Sequence, residues 1–134
     1  MPDLRRIMHI EDDPSIQDVA RVSLEIVGKF DVCTCSSGQE ALARFADFQP
    51  QLVLLDVMMP GMDGPTTLQL LQQQFDLTAV TVIFMTAKVQ ANEIASYKAL
   101  GAHDVVVKPF DAMTLASQIA NIWQQHQAQR SALH

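Results

Sequence analysis

The 134-residue chain is long enough to bury one core without disulfides or a structural metal. With 49% hydrophobic and 18% charged residues it has globular composition, which excludes disordered and fibrous classes. Its net charge of −6 and its scattered Lys and Arg, adjacent only at Arg5-Arg6, leave no basic face for nucleic acid.

Ile7 to Ile10 is the first strand expected. Asp13-Pro14 follows as an N-cap with proline at the first helical position, and Ile16, Val19, Ala20, Leu24 and Val27 form a helical stripe that Gly28 closes. Phe30 to Cys35 is a second strand. Ser37 and Glu40 make a capping-box pattern for a helix carrying Ala41, Leu42, Phe45 and Phe48. Leu52-Val53-Leu54-Leu55 is an uninterrupted apolar strand that stops at Asp56. The prolines and glycines from Met59 to Pro65 are loop chemistry, and Leu68, Leu71 and Phe75 begin a third helical stripe. Val80 to Met85 is a strand ending at Thr86, Gln90 to Leu100 is a helix stopped by Gly101, and Val105 to Val107 is a strand ending at Lys108-Pro109. Asp111 caps a last helix with Leu115, Ile119, Ile122 and Trp123, and a polar, Gln-rich tail runs from Gln124 to His134.

Five strand–helix units without repeat or linker predict a single α/β domain over residues 1–134, with its core at about 5–123. The expected architecture is a flavodoxin-like (βα)5 three-layer sandwich whose parallel sheet has the order 2-1-3-4-5. Cys33 and Cys35 share a face of one strand, a poor geometry for a disulfide, and are expected as two small buried thiols. There is no signal-peptide core and no bilayer-length apolar run, so the expected location is cytoplasmic and no membrane partner is expected.

In such sheets ligands bind beyond the carboxyl ends of the strands. Glu11-Asp12-Asp13 stands after the first strand, Asp56 after the third, Thr86-Ala87 after the fourth and Lys108-Pro109 after the fifth. Strands one and three are neighbours, so their carboxylates converge and repel unless a cation intervenes. Oxygen donors suit Mg²⁺, and none of the four histidines is placed to complete a zinc site. Acids around Mg²⁺ with one lysine and one hydroxyl are what phosphoryl transfer to a carboxylate needs. Asp56, alone at the end of the most buried strand, is the expected nucleophile, with Glu11 and Asp12 as metal holders.

His9-Ile10-Glu11-Asp12-Asp13-Pro14, Leu54-Leu55-Asp56 running through Met58 and Pro60 to Gly64, Met85-Thr86-Ala87 and Val107-Lys108-Pro109-Phe110 resemble four signatures. They are those of bacterial response-regulator receivers, the CheY-like superfamily, and the resemblance spans about Arg5 to Trp123. It implies a phosphorelay switch in which Asp56 accepts phosphate from a histidine of a sensor histidine kinase or a histidine phosphotransfer protein. Such a protein catalyses only its own phosphorylation and dephosphorylation and acts on a downstream output protein or domain. The resemblance also implies that Asp12, Asp56 and the Met58 carbonyl hold Mg²⁺, with Glu11 reaching it through water. Lys108 would pair with the phosphoryl group beside a cis bond to Pro109, and Thr86 would shift towards it. Ala87 fits the small residue used there.

Receivers often carry an aromatic three residues before the lysine, where this chain has Val105. The surface of the fourth helix, fifth strand and fifth helix is therefore expected to repack with a smaller readout. Met58 and Lys88 stand where similar proteins tune phosphate lifetime. A homodimer through the last two helices, common in similar proteins, is compatible with the sequence but not compelled by it. Other readings are weaker. An aspartyl-phosphate phosphatase needs a second acid two residues after the nucleophile, where Met58 stands. A nucleotide or flavin site lacks its Gly-rich loop after the first strand. A scaffold would not need the complete acid–lysine set. His9 is expected as a packed core residue, and His103, in a turn, carries no assigned role.

Overall fold

Leu52-Val53-Leu54-Leu55 offers no polar side chain to either face, so it requires cover on both. The computed structural model, which describes residues 3–87 and 90–132, makes this β3 (Leu52–Asp56), buried at every position. The other elements are β1 (Arg6–Ile10), α1 (Pro14–Arg21) with a π-helical continuation (Val22–Val27), β2 (Asp31–Cys35), α2 (Gly38–Phe48) and α3 (Gly64–Gln74). They are followed by β4 (Thr81–Thr86), α4 (Ala91–Ala99), β5 (Asp104–Val107) and α5 (Ala112–Ala132). The strands form one parallel sheet in the expected order β2-β1-β3-β4-β5, with β3 at its centre.

Alternation along the strands divides the interior in two. Met8, Ile10, Val53, Leu55 and Phe84 pack with Phe45 of α2 and Leu68 and Leu71 of α3. Ile7, Leu52, Leu54 and Ile83 pack on the other face with Leu24, Leu115 and Ile119. Local chemistry sets the helix starts. Asp13 accepts from Ser15 N at 2.8 Å, Asp63 from Thr66 N at 2.9 Å and Asp111 from Met113 N at 2.8 Å. Ser37 caps α2 by accepting from Glu40 N, but the Glu40 carboxylate accepts from Ser36 N, one residue outside the expected box.

Two expectations need correction. The stripe Ile16-Val19-Ala20-Leu24-Val27 is only partly inward: Ala20 and Leu24 are buried, whereas Val19 and Val27 are exposed. The helix widens to a π turn, with Gly28 N donating to Ser23 O at 2.8 Å, and this turns consecutive residues Ser23 and Leu24 inward together. Ser23 Oγ there accepts from Ala116 N at 3.1 Å and ties the segment to α5. The second correction concerns the C-terminal stretch. Residues 124–132 continue α5 rather than forming a tail, because His126 is buried at the start of β4. Its Nδ1 is hydrogen-bonded to Thr81 Oγ1, and its ring lies 3.7 Å from that of His103, whose Nδ1 accepts from Val82 N.

Cys33 and Cys35 are free and buried on one face of β2, their sulfurs 3.9 Å apart. His9 is indeed a core residue, and neither ring nitrogen has a hydrogen-bond partner among the described residues. Burial, aided by the charges of Lys108 and Arg21, lowers its pKa to about 3. The unfolded chain therefore binds a proton that the folded chain refuses between about pH 6.5 and pH 3, so stability falls as pH falls through that window. We predict that His9→Leu flattens the acid limb of urea-unfolding stability by about 1.4 kcal/mol per pH unit below about pH 6. Parallel limbs for the two proteins would refute it.

Candidate functional site

The register of β1 with β3 sets Ile10 opposite Leu55, so the residues that follow, Glu11 and Asp56, emerge side by side. Both are almost fully buried, at 1% and 3% exposure, whereas Asp12 is open to solvent. One carboxylate oxygen from each of the three lies within 4.8 Å of the others. Two buried like charges at this distance oppose one another and lose hydration, so they require a cation.

Lys108 supplies one. The β4–β5 pairing carries the chain to the same edge, where Lys108 N donates to Thr86 O at 2.9 Å. Lys108 Nζ stands 2.8 Å from both Glu11 Oε1 and Asp56 Oδ1. The Lys108-Pro109 bond is cis, as expected. Burial works against the ammonium, but its hydrogen bonds to Asp56 and Glu11 outweigh this and hold its pKa above the ordinary lysine value. Glu11 behaves differently. Burial pushes its carboxyl up to about 7 and Asp56 adds to the rise, against the hydrogen bonds from Lys108 and Asp13 N.

The loop after β3 is pressed against the site. A Cβ at Gly64 would run into the carbonyl oxygen of Asp56, so only glycine lets α3 start this close. Gly64 N donates to Val57 O at 3.0 Å, and Gly61 turns with φ at 76°. Met58 projects outward, 73% exposed. Thr86 is buried at the end of β4, with Ala87 after it on the exposed edge. Lys88, expected to tune the site, lies outside the described residues.

The structure thus brings Glu11, Asp12, Asp56, Thr86 and Lys108 to one strand edge, with Met58 flanking. Two contacts were not legible in the sequence. The first is the direct pairing of Lys108 with Glu11, which are 97 residues apart. The second is Gln17, whose amide donates to the Glu11 carbonyl from α1. Neither has a local pattern. Among the described residues the group of possible metal ligands gathered here is Glu11, Asp12 and Asp56, and such oxygen donors fit a hard divalent cation such as Mg²⁺.

The family model for the response regulator receiver domain matches residues 7–120. A probable transcriptional regulator, ycf27, of Porphyridium aerugineum is 36% identical over 87% of this chain and 47% of its own length. The DNA-binding response regulator MtrA of Mycolicibacterium smegmatis is 32% identical over 86% of this chain and 49% of its own. The chain spans about half the length of these curated relatives. Among solved structures, chemotaxis protein CheY4 of Vibrio cholerae superposes with a TM-score of 0.81 at 25% identity, over 89% of this chain and 98% of that one.

Because Glu11 holds its proton up to about pH 7 and a cation would displace it, Mg²⁺ binding is expected to release protons and to tighten with pH. Calorimetric titration between about pH 6 and pH 8, in buffers of different ionisation enthalpy, measures this. Affinity independent of both pH and buffer would count against the Glu11 assignment.

Proposed function

The chain belongs to the response-regulator receiver family, and from that premise we propose that it is a phosphoacceptor switch whose nucleophile is Asp56. The observation that carries this reading is the pairing of buried Asp56 with Lys108 beside Glu11 and Asp12 at the carboxyl edge of the sheet. In the proposed reaction an Asp56 carboxylate oxygen attacks phosphorus, and the P–N bond of a partner's phosphohistidine breaks. The electron pair leaves on the imidazole nitrogen, which takes a proton from water. Lys108, already 2.8 Å from Asp56, meets the charge on the phosphoryl oxygens. Thr86 provides a hydroxyl at the adjoining strand end. Asp12, Asp56 and the Met58 carbonyl would hold Mg²⁺, with Glu11 acting through water, and the ion would supply further neutralisation of that charge.

A protein donor is favoured over a small metabolite. An apolar hollow of about 320 Å³, lined by Ile16, Val19, Ala87, Pro109 and Phe110, opens beside Lys108. Apolar surface there gives a helix of a histidine kinase or phosphotransfer protein something to rest on, whereas a small acyl phosphate would not need it. A phosphatase reading has no support, since the exposed thioether of Met58 cannot serve as general acid.

The output is proposed to pass through α4, β5 and α5. Val105 is half-buried opposite Phe84, and Phe84 meets Tyr97 of α4 edge to face at 5.2 Å. Helix α4 has no buried residue, so it is the element with least to lose by moving. The link from β4 to α4 therefore stands in for the absent aromatic at position 105. A phosphorylated structure with Val105, Tyr97 and α4 unmoved would sink this.

Acetyl phosphate with Mg²⁺ is expected to add one phosphate by intact mass, and Asp56→Asn is expected to abolish the gain. No gain where another receiver is labelled would shift the reading to a scaffold that binds without phosphate. Met58→Ala and Lys88→Ala are each expected to change the rate of phosphate loss by about two-fold or more, measured on the isolated phosphoprotein. Unchanged rates would remove both residues from the mechanism.

A further inference from the structure

Cys33 and Cys35 are the chain's only cysteines, and both are withdrawn from water, at 4% and 0% exposure. They stand two apart on β2, so their side chains leave the same face of the strand, with the sulfurs 3.9 Å apart. A disulfide needs about 2.05 Å between sulfurs and about 3.8 Å between Cβ atoms, whereas alternate residues of a strand stand about 6.6 Å apart. The pair therefore cannot close on itself without breaking the pairing of β2 with β1. Two bonds of about 2.3 Å to a shared ion do span the observed gap, enclosing about 120°, the angle of trigonal coordination.

A third sulfur belongs to the same face. Met8 of β1 is directly opposite Cys33 in the register and packs in the same buried cluster. We propose that Cys33, Cys35 and Met8 form a site for a soft monovalent cation, Cu⁺, held by the two thiolates with the thioether as third ligand. Loading is an exchange of protons for metal, and no electron is transferred. Two S–H bonds break, two S–Cu bonds form, Met8 Sδ donates a lone pair, and two protons leave to solvent.

The surroundings select this ion. Thiolate and thioether sulfur suit Cu⁺. Structural Zn²⁺ asks for four ligands, and among the described residues no His, Asp or Glu joins the two thiols in a group of three. Mg²⁺ takes oxygen rather than sulfur, so the acidic edge and this pair accept different metals. Two thiolates around one Cu⁺ leave a net negative charge, and Arg44 of α2 stands beside it. Its guanidinium donates to the carbonyl of Thr34, the residue between the two cysteines, at 3.3 Å. Burial pushes the Cys35 thiol up to about 12, with Cys33 and Glu40 adding to the rise and Arg44 acting against it. At neutral pH that thiol keeps its proton, which makes it inert towards oxidants and leaves exchange for a thiophilic metal as its open chemistry. Because β2 is an edge of the sheet, the ion can enter by local opening of one strand.

Anaerobic titration of the full chain with Cu⁺, in competition with the coloured chelator bicinchoninate, tests the proposal. One Cu⁺ per chain is expected to be withheld from the chelator. Its affinity is expected to fall at least about ten-fold in Cys33→Ala and in Cys35→Ala. Met113→Leu, which removes an exposed sulfur on α5, is expected to leave it unchanged. Met8→Leu nearly conserves volume and is expected to weaken binding about three-fold or more. It carries the test if an alanine variant loses its fold, as read by the copper-free thermal midpoint. Cu⁺ is also expected to raise the thermal midpoint of the unsubstituted chain. A lowered midpoint overturns the proposal, because the ion then prefers the thiols of the unfolded chain. So does a chain that withholds no copper, binding that both alanine variants or Met8→Leu leave unchanged, or Zn²⁺ held as tightly as Cu⁺.

Discussion

One ammonium group within 2.8 Å of two buried carboxylates is the interaction on which the rest of this structure depends. Glu11 and Asp56 are almost withdrawn from water, and without Lys108 each would meet the other's charge at low dielectric. The three residues come from β1, β3 and the turn after β5, 52 and 97 residues from the lysine in sequence. No local segment can assemble them. A one-residue slip of β1 against β3 would send Glu11 to the other face. The site is therefore present only when the whole sheet is in register, and the apolar strands that set this register are part of its chemistry.

The same dependence explains what the sequence made legible. Strand identity was readable because Leu52 to Leu55 and Val80 to Met85 leave no helical or amphipathic alternative. The ends of β1, β3, β4 and β5 were readable because a polar residue stops each run, and those residues are the site. Helix starts were readable from Asp13, Ser37 and Asp111, whose caps act within three residues, whereas the Asp63 cap lies in a stretch that reads only as loop. What was not legible depends on distant partners. The π turn arises where Ser23 bonds α5, and nothing in Val22-Ser23-Leu24 announces it. Residues 124–132 look polar, yet His126 is held by Thr81 and His103 across the fold. Glu11 was legible as an acid near a metal, but its ion pair was not, since a lysine far along the chain carries no mark of its partner.

The two ends of the sheet carry opposite electrostatic logic. At the carboxyl ends, charges are kept and paired, and the Glu11 carboxyl sits high enough to exchange its proton near neutral pH. At the amino ends, burial holds His126 down at about 4, with His103 and Arg130 adding to it, and keeps His103 below its ordinary value too. The Val82 N–H pointing at His103 Nδ1 requires that nitrogen to be unprotonated. A carboxyl that exchanges its proton thus stands at one edge, while the other anchors the long α5 by neutral contacts. An anchored α5 and a tight β4 leave α4 as the element free to respond.

In the proposed reading, phosphorylation raises the negative charge at position 56 from one to about two while adding oxygens farther from the strand. Lys108 then has a stronger partner than Glu11, and Glu11 loses the contact that favours its ionised form. Any strain from that exchange must pass through the residues bonded to Lys108, and its backbone N–H is held by the Thr86 carbonyl at the end of β4. Within β4 the side chain in contact with a helix able to shift is Phe84, against Tyr97. The path of least cost therefore runs from β4 to α4. The α1 face stays rigid, fixed through Gln17 to Glu11 and through Ser23 to α5. A receiver built this way can report phosphorylation on one face while presenting an unchanging surface on the other.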